Sequence, residues 1–470
     1  MCFLGKLINS WQHFGTTTLL SKAWEKFVVD KYRFRTGILR TIPVFPERTA
    51  THEVESASPV DTPLHICYLI HYFFPDKSGG TERFVLNVAK EQQKRGNKVT
   101  IITLGKRPLS QYSQVNDGIH YEAFGFEGIP VIQIRYKRAP RGLYYDIIND
   151  REPQMTAFAK AFLYENNIDI VHAAYPQPFA AFLHVCKQRN IPYVLTLTDF
   201  NMICHYSTLV SKSGQFCGGS DKGRKCKACG THGVSDCEQR YVKAGNLLMQ
   251  ANYITVPSEF VARVFANEFD MLPIHVVPHG ISSSFKNTKK RQETRKFVYA
   301  GTLSDLKGVH LLISAFKKSP YHDVTLDIYG EGEPSYTERL KGLAKSDPRI
   351  RFHGNVSANE MPAIYQAADC VVVSSIWFET YNFVLREALA CGCLAVVSNM
   401  GAMPEAIDVG KNGFIFKAGD ESDLIKSIDA AYTFDWNHYK QTKFPLLDEE
   451  ASRYNLIYHR LDRGCRDAKD

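Results

Sequence analysis

The chain has 470 residues, 44% hydrophobic and 23% charged, with a formal net charge of +8 at neutral pH. That length suits two ordinary domains with separate cores. The charge is too diffuse to argue for nucleic acid and fits small anionic substrates or an acidic membrane surface. No run approaches the roughly 18–20 apolar residues that span a bilayer. Residues 1–20, broken by Lys6, Asn9, Gln12 and His13, lack a signal-peptide cleavage pattern, so a cytoplasmic protein is expected.

In chain order, residues 1–43 come first. They interleave Lys6, Lys22, Lys26, Lys31, Arg33, Arg35 and Arg40 with Trp11, Trp24, Phe27, Val28 and Tyr32. This reads either as a helical appendage on the main body or as a peripheral contact with the inner membrane face. A polar, Pro-bearing linker from Pro46 to Pro63 follows. From His65 onward, short apolar runs alternate with helical periodicity such as Glu82–Arg95. The runs are His65–His71, Lys98–Leu104, Asp169–His172, Tyr193–Leu197, Tyr253–Val256, Ile274–Val277, Lys296–Ala300, Thr325–Tyr329, Ile350–His353, Cys370–Val373 and Leu394–Ser398. Such alternation means βαβ units and parallel sheets. Two doubly wound, Rossmann-like α/β domains joined near His279–Thr294 are expected, with ligands in the cleft between them. The expected division is an extension and linker over 1–62, a first domain over 63–285, a second over 286–445 and a terminal helix over 446–470.

Three loops at the carboxyl ends of expected strands carry chemistry. Gly79-Gly80 lies between the first strand and the next helix, where bare backbone approaches a ligand and a helix start attracts an anion; a plain turn is the simpler account. Lys307, before Gly308, offers a mobile positive charge to a diphosphate, or only a surface charge at a helix start. Glu379 and Glu387 stand eight residues apart, one on a loop and one about a turn inside the following helix. Between them the helix-start N–H groups of the Tyr381, Asn382, Phe383 and Val384 stretch suit a phosphate. Acids on both sides of an anion cradle suit the hydroxyls of a sugar nucleotide.

Of twelve cysteines, seven are scattered (Cys2, Cys67, Cys186, Cys370, Cys391, Cys393 and Cys465) and read as reduced core or surface thiols. Five form a cysteine-rich insert over 204–237: Cys204, Cys217, Cys226, Cys229 and Cys237. A Cys-x2-Cys with two further cysteines nearby points to tetrahedral metal binding, zinc ahead of an iron–sulfur cluster, with either Cys204 or Cys237 as fourth ligand. Free thiols are the alternative.

Gly79-Gly80, Asp169-Ile170-Val171-His172, Pro278-His279-Gly280-Ile281, Gly301-Thr302-Leu303 with Lys307-Gly308, Glu379 to Glu387, and Lys411-Asn412-Gly413-Phe414 occur in this order. Together they resemble the retaining glycosyltransferases of family 4, of GT-B fold, over about residues 65–465, in a cysteine-bearing subtype. The resemblance implies that Glu379 binds the transferred sugar and that Glu387 binds ribose hydroxyls. Lys307 would neutralise the leaving diphosphate, Gly79 and Gly80 would wall the acceptor side, and Tyr381 to Val384 would hold the distal phosphate. No catalytic metal is implied, and a last helix near Glu450–Leu461 would cross back to the first domain. Three positions depart from the family's pattern. Thr302 stands where Arg is frequent, Asn382 where Gly is frequent, and Thr198 where a His would touch the sugar. Asparagine tolerates positive φ. Asp199, beside Thr198, becomes a candidate catalytic acid, or else a helix N-cap. The expected activity is retaining transfer from a UDP- or GDP-sugar to a glycan or lipid-linked acceptor in polysaccharide biosynthesis. A phosphorylase or epimerase on the same fold, and a non-catalytic nucleotide-sugar-binding scaffold, are the rival readings.

Overall fold

The computed structural model describes residues 62–140, 148–211, 214–229, 237–270, 272–288 and 290–467. The basic segment 1–43 and the linker up to residue 61 lie outside them. The first sheet has nine strands: β1 (His65–Ile70), β2 (Lys98–Leu104), β3 (Gln114–Asn116), β4 (Ile119–Phe126), β5 (Ile129–Tyr136), β6 (Ile170–Ala173), β7 (Tyr193–Thr196), β8 (Tyr253–Val256) and β9 (Ile274–Val276). Their spatial order is β3-β4-β5-β2-β1-β6-β7-β8-β9. The second has six: β10 (Lys296–Ala300), β11 (Thr325–Tyr329), β12 (Ile350–Gly354), β13 (Cys370–Val373), β14 (Leu394–Ser398) and β15 (Gly413–Phe416), in the order β12-β11-β10-β13-β14-β15. All pairings of the second sheet are parallel.

β1, β6, β7 and β13 are buried along their whole length. Strands covered on both faces read as continuous apolar runs, which is why they are visible in the sequence. The antiparallel meander β3-β4-β5 is different: its residues are half exposed, and the sequence reading passes over it. A two-residue hairpin loop joins β4 to β5 at Glu127 (φ 47°) and Gly128 (φ 83°). Both residues take the left-handed conformation that primed turns require.

The helix Leu447–Asp467 packs on the face of the first sheet. Tyr454, Ile457 and Tyr458, at helical spacing, are buried with Ile66, Tyr68 and Phe84, and Ala451 one turn earlier is buried too. Beneath it His172 meets the Tyr458 hydroxyl and Thr196 Oγ1, each at 2.6 Å, and the Thr255 and Tyr454 hydroxyls complete the network. Burial pushes the His172 imidazole down to about 3, so it is neutral. Glu450 anchors the helix start, accepting from the Gly280 N–H at 2.8 Å and meeting His279 Nδ1 at 2.9 Å.

Strand order reverses at β1 in the first sheet and at β10/β13 in the second. Such switch points open a crevice at the strands' carboxyl ends. The Gly79-Gly80 loop follows β1, Lys307 follows β10 and Glu379 follows β13. The two switch points therefore deliver all three loops to one region.

Candidate active site

The loops that follow β10 and β13 are held by short contacts. Lys307 ends a single 3-10 turn, Asp305–Lys307, closed by Gly308 at φ 66°. A Cβ at Gly308 would lie 2.1 Å from the Ser374 carbonyl, so no other residue brings Lys307 this close to the β13 loop. Lys307 Nζ donates to Glu379 Oε1 at 2.6 Å, and Ser375 Oγ (2.6 Å) and Trp377 Nε1 (2.9 Å) donate to the same oxygen. Burial alone raises the Glu379 carboxyl, but the Lys307 charge and these hydrogen bonds outweigh it and leave it below the ordinary value. Lys307 also lies over the Trp377 ring, 5.0 Å from its centre. Gly401 (φ 66°) completes the mould, since a Cβ there would strike the Glu379 backbone.

Asn382 adopts φ 68°, ψ 86° and caps the helix Phe383–Ala390 by accepting from the Leu385 N–H at 3.0 Å. The substitution for glycine therefore keeps the turn and adds a cap. The N–H groups of Phe383 and Val384 lie in the first turn, where helices offer no internal partner. Tyr381 is buried against the Arg386 guanidinium, 3.9 Å from the ring centre, and Arg386 donates to the Tyr381 and Ala402 carbonyls. Asn382→Ala is expected to cost about 1–3 kcal/mol through strain at positive φ and loss of the cap, whereas Asn382→Gly costs a few tenths. Urea-unfolding midpoints separate the two, and equal losses would contradict the strain argument. Gly301 (φ 143°) and exposed Thr302 sit on the β10 side, with the Thr302 carbonyl accepting from the Tyr299 hydroxyl at 3.0 Å.

Facing them, Gly80 lies against Phe383: a Cβ built there would be 3.9 Å from the ring. Thr81 donates to Thr198 at 2.8 Å, and Thr198 to the Ala174 carbonyl at 3.3 Å. Asp199 Oδ1 accepts from the Asn201 N–H at 2.9 Å. It thus caps a turn and not a helix, because residues 201–203 form a turn. Burial pushes the Asp199 carboxyl up to about 6, against the pull of Lys77 and Arg240. The buried Glu82 carboxylate stands close by, 3.9 Å from Lys77 Nζ and 4.0 Å from His71 Nε2. Burial raises its pKa.

The sequence reading missed what holds the two sides together. Arg83 ion-pairs with Glu387 across the cleft and lies over the Phe383 ring at 5.2 Å. Ser258 donates to the Thr380 carbonyl at 2.7 Å, and Glu405 accepts from the Phe260 N–H at 2.5 Å. The His279 ring stacks on Phe383 (5.4 Å) and lies tilted against Phe84 (4.4 Å) while facing Glu450. The only sequence signal for Arg83 was a cation three residues after Gly80. Burial pushes Glu387 up to about 7, with Arg83 opposing. Its folded pKa exceeds the unfolded one, so its contribution is fully present below about pH 4.5 and is lost as pH rises through about 7. Glu387→Gln is expected to flatten the fall in stability between about pH 5 and about pH 8. Denaturation midpoints at both pH values check this, and an unchanged slope would refute it.

Five cysteines of the insert gather in one place. Cys204, Cys217, Cys226 and Cys229 line a cavity of about 20 Å³, and none of the insert's cysteines is in a disulfide. Burial, helped by the neighbouring Cys204, Cys237, Cys229 and Cys217 thiols, pushes Cys226 up to about 12. Of the scattered cysteines, Cys67, Cys186, Cys370, Cys391 and Cys393 are buried and reduced, as core residues are.

Two family models match the chain: Glycosyl transferases group 1 over residues 281–443 and Glycosyltransferase Family 4 over residues 78–207. The chain carries the two domains of a GT-B glycosyltransferase. Among this glycosyltransferase's curated relatives is a D-inositol 3-phosphate glycosyltransferase of Corynebacterium jeikeium, 24% identical over 75% of this chain and 83% of that one. Its fold is that of sucrose-phosphate synthase from Thermosynechococcus elongatus (TM-score 0.59, 16% identity, 86% of this chain and 98% of that one). It also matches Anabaena Alr3699/HepE in complex with UDP and glucose (TM-score 0.55, 17% identity, 86% of this chain and 99% of that one). Among the described residues no helix of the glycosyltransferase is long and apolar enough to cross a membrane.

Proposed function

We propose that this glycosyltransferase moves a sugar from a UDP- or GDP-linked donor to a glycan or lipid-linked acceptor in polysaccharide biosynthesis, with retention of anomeric configuration. The observation that carries this reading is the Lys307–Glu379 pair at 2.6 Å, at the carboxyl ends of β10 and β13. A carboxylate held ionised can stabilise positive charge at the anomeric carbon, while the ammonium beside it meets the negative charge growing on the departing diphosphate. The three donors to Glu379 all use Oε1, so Oε2 is the oxygen for sugar hydroxyls. The Phe383 and Val384 N–H groups receive the distal phosphate. In this reading Lys307 and the helix start offset the diphosphate charge without a catalytic metal ion.

Glu387 takes the ribose hydroxyls, and Arg83 yields or shares it when donor binds. Gly79, Gly80, Gly301, Thr302, Tyr381 and Asn382 shape the walls. Thr198 and Asp199 face the acceptor, with Asp199, near neutrality in its titration, as the acid or base closest to hand. The HepE complex with UDP and glucose supports a donor of this class. Contact of the basic segment 1–43 with an anionic membrane face belongs to the same reading, since lipid-linked acceptors reside there.

The test is incubation with a panel of nucleotide sugars and acceptors, following nucleotide release and reading the new linkage by NMR. Release of free nucleotide with a retained anomer is expected. Consumption of inorganic phosphate, an inverted product, or donor binding without turnover across a broad acceptor panel would each overturn the proposal.

A further inference from the structure

The proposed transfer reaction uses none of the insert's cysteines. These thiols differ from the buried cysteines elsewhere, which come no more than two together along the sequence. Here four arrive from three places: Cys204 from the turn after Asp199, Cys217 from a following loop, and Cys226 and Cys229 from the middle and the C-cap of the short helix Arg224–Ala228. All four line the same small cavity. Its volume of about 20 Å³ exceeds the roughly 10–15 Å³ that one water-sized particle needs, and so fits a single ion. Four cysteines among the residues lining a void of that size offer the donor set of a tetrahedral thiolate site. Cys237, at the start of the helix Cys237–Met249, is not part of the cavity wall.

Charge agrees with this chemistry. A divalent ion bound by four thiolates keeps two negative charges, and Lys222, Arg224, Lys225 and Lys227 surround it in sequence. Lys225 lies near enough for its charge to act on Cys217. Among the described residues no three His, Cys, Asp or Glu side chains are placed to hold a metal ion as they stand, so binding here requires the thiols to turn inward. Cysteine does this by rotation about χ1, with its backbone fixed. Gly223 (φ 89°) supplies the tight turn before Cys226, where a Cβ would strike the Cys237 carbonyl. The place is functional ground: Phe216, preceding Cys217, packs 5.3 Å from Phe378, the neighbour of Glu379.

We propose that Cys204, Cys217, Cys226 and Cys229 bind one zinc ion. Each of the four thiols loses its proton to solvent as its sulfur bonds to the metal, and no oxidant or reductant takes part. Cys204 is the fourth ligand and Cys237 is a neighbour only.

The test is elemental analysis of the full chain, purified under thiol reductant from zinc- and iron-supplemented culture without a metal-affinity step. About one zinc per chain is expected, released in step with mercurial titration of the four thiols. Cys226→Ser loses the ion and Cys237→Ser keeps it. A reduced wild-type chain that stays free of zinc when offered the ion overturns the proposal, whether or not the variants fold. Iron with acid-labile sulfide in its place overturns the zinc assignment, and loss of the ion in Cys237→Ser overturns the ligand set. Metal content does not depend on transfer, so an inactive chain holding zinc would refute the proposed function and leave this site standing.

Discussion

Glu379→Ala is expected to lower kcat about 100- to 1,000-fold, the loss typical of removing one preorganised charge at a transition state, while the fold survives. The fold should hold because Lys307, left behind, has a partly exposed side chain (24%) and recovers solvation. Lys307→Ala should cost a similar factor by a different route. It leaves Glu379 buried (8%) without its counter-charge, so the carboxyl protonates more readily and the diphosphate loses its cation. Because the two groups act on one ion pair, the double variant should fall well short of the product of the single losses. Transfer kinetics with each variant, alongside melting temperatures, check this. Full activity in either single variant would remove that residue from its assigned role.

Glu450→Ala should produce the largest loss of stability, about 3–5 kcal/mol, as expected when one partner of a buried pair is removed. Its side chain is 1% exposed and that of His279 is 3% exposed. Without the carboxylate, the His279 ring and the Gly280 N–H both lose a buried partner. Glu450→Gln keeps an acceptor and should cost less. The effect should reach the helix Phe383–Ala390, proposed to receive the distal phosphate, because His279 stacks on Phe383 at its start. Denaturation midpoints and hydrogen exchange along Leu447–Asp467 measure it. A change within about 0.5 kcal/mol, the range of ordinary surface substitutions, would show that the pair carries no such burden.

Both predictions rest on residues whose visibility in the sequence differed. Glu379, Lys307 and Gly79-Gly80 were legible because each follows a buried strand, and an apolar run closed by small turn residues (Gly301 after β10, Ser374-Ser375 after β13) announces a strand's carboxyl end. Asn382 was legible through backbone chemistry, since a left-handed turn tolerates asparagine. Glu450 and Arg83 were not. Glu450 reads as one acid among Asp448, Glu449 and Glu450, and only docking of the helix chooses the one that turns inward. The meander β3-β4-β5 was passed over because a half-exposed edge needs no continuous apolar run.

The sequence by itself determined the elements that depend on near neighbours: the parallel strands, the glycine and asparagine turns, the loops that carry Lys307 and Glu379, and the presence of a cysteine-dense insert. Only the tertiary structure decided which side chains meet. Lys307 and Glu379 are 72 residues apart, His279 and Glu450 171, and Arg83 and Glu387 304. It also chose Cys204 over Cys237 for the cavity wall. The physical reason is the range of the forces. Periodicity and φ preferences act within a few residues of chain, whereas an ion pair or a shared cavity is set by burial, which brings together residues that no local pattern relates.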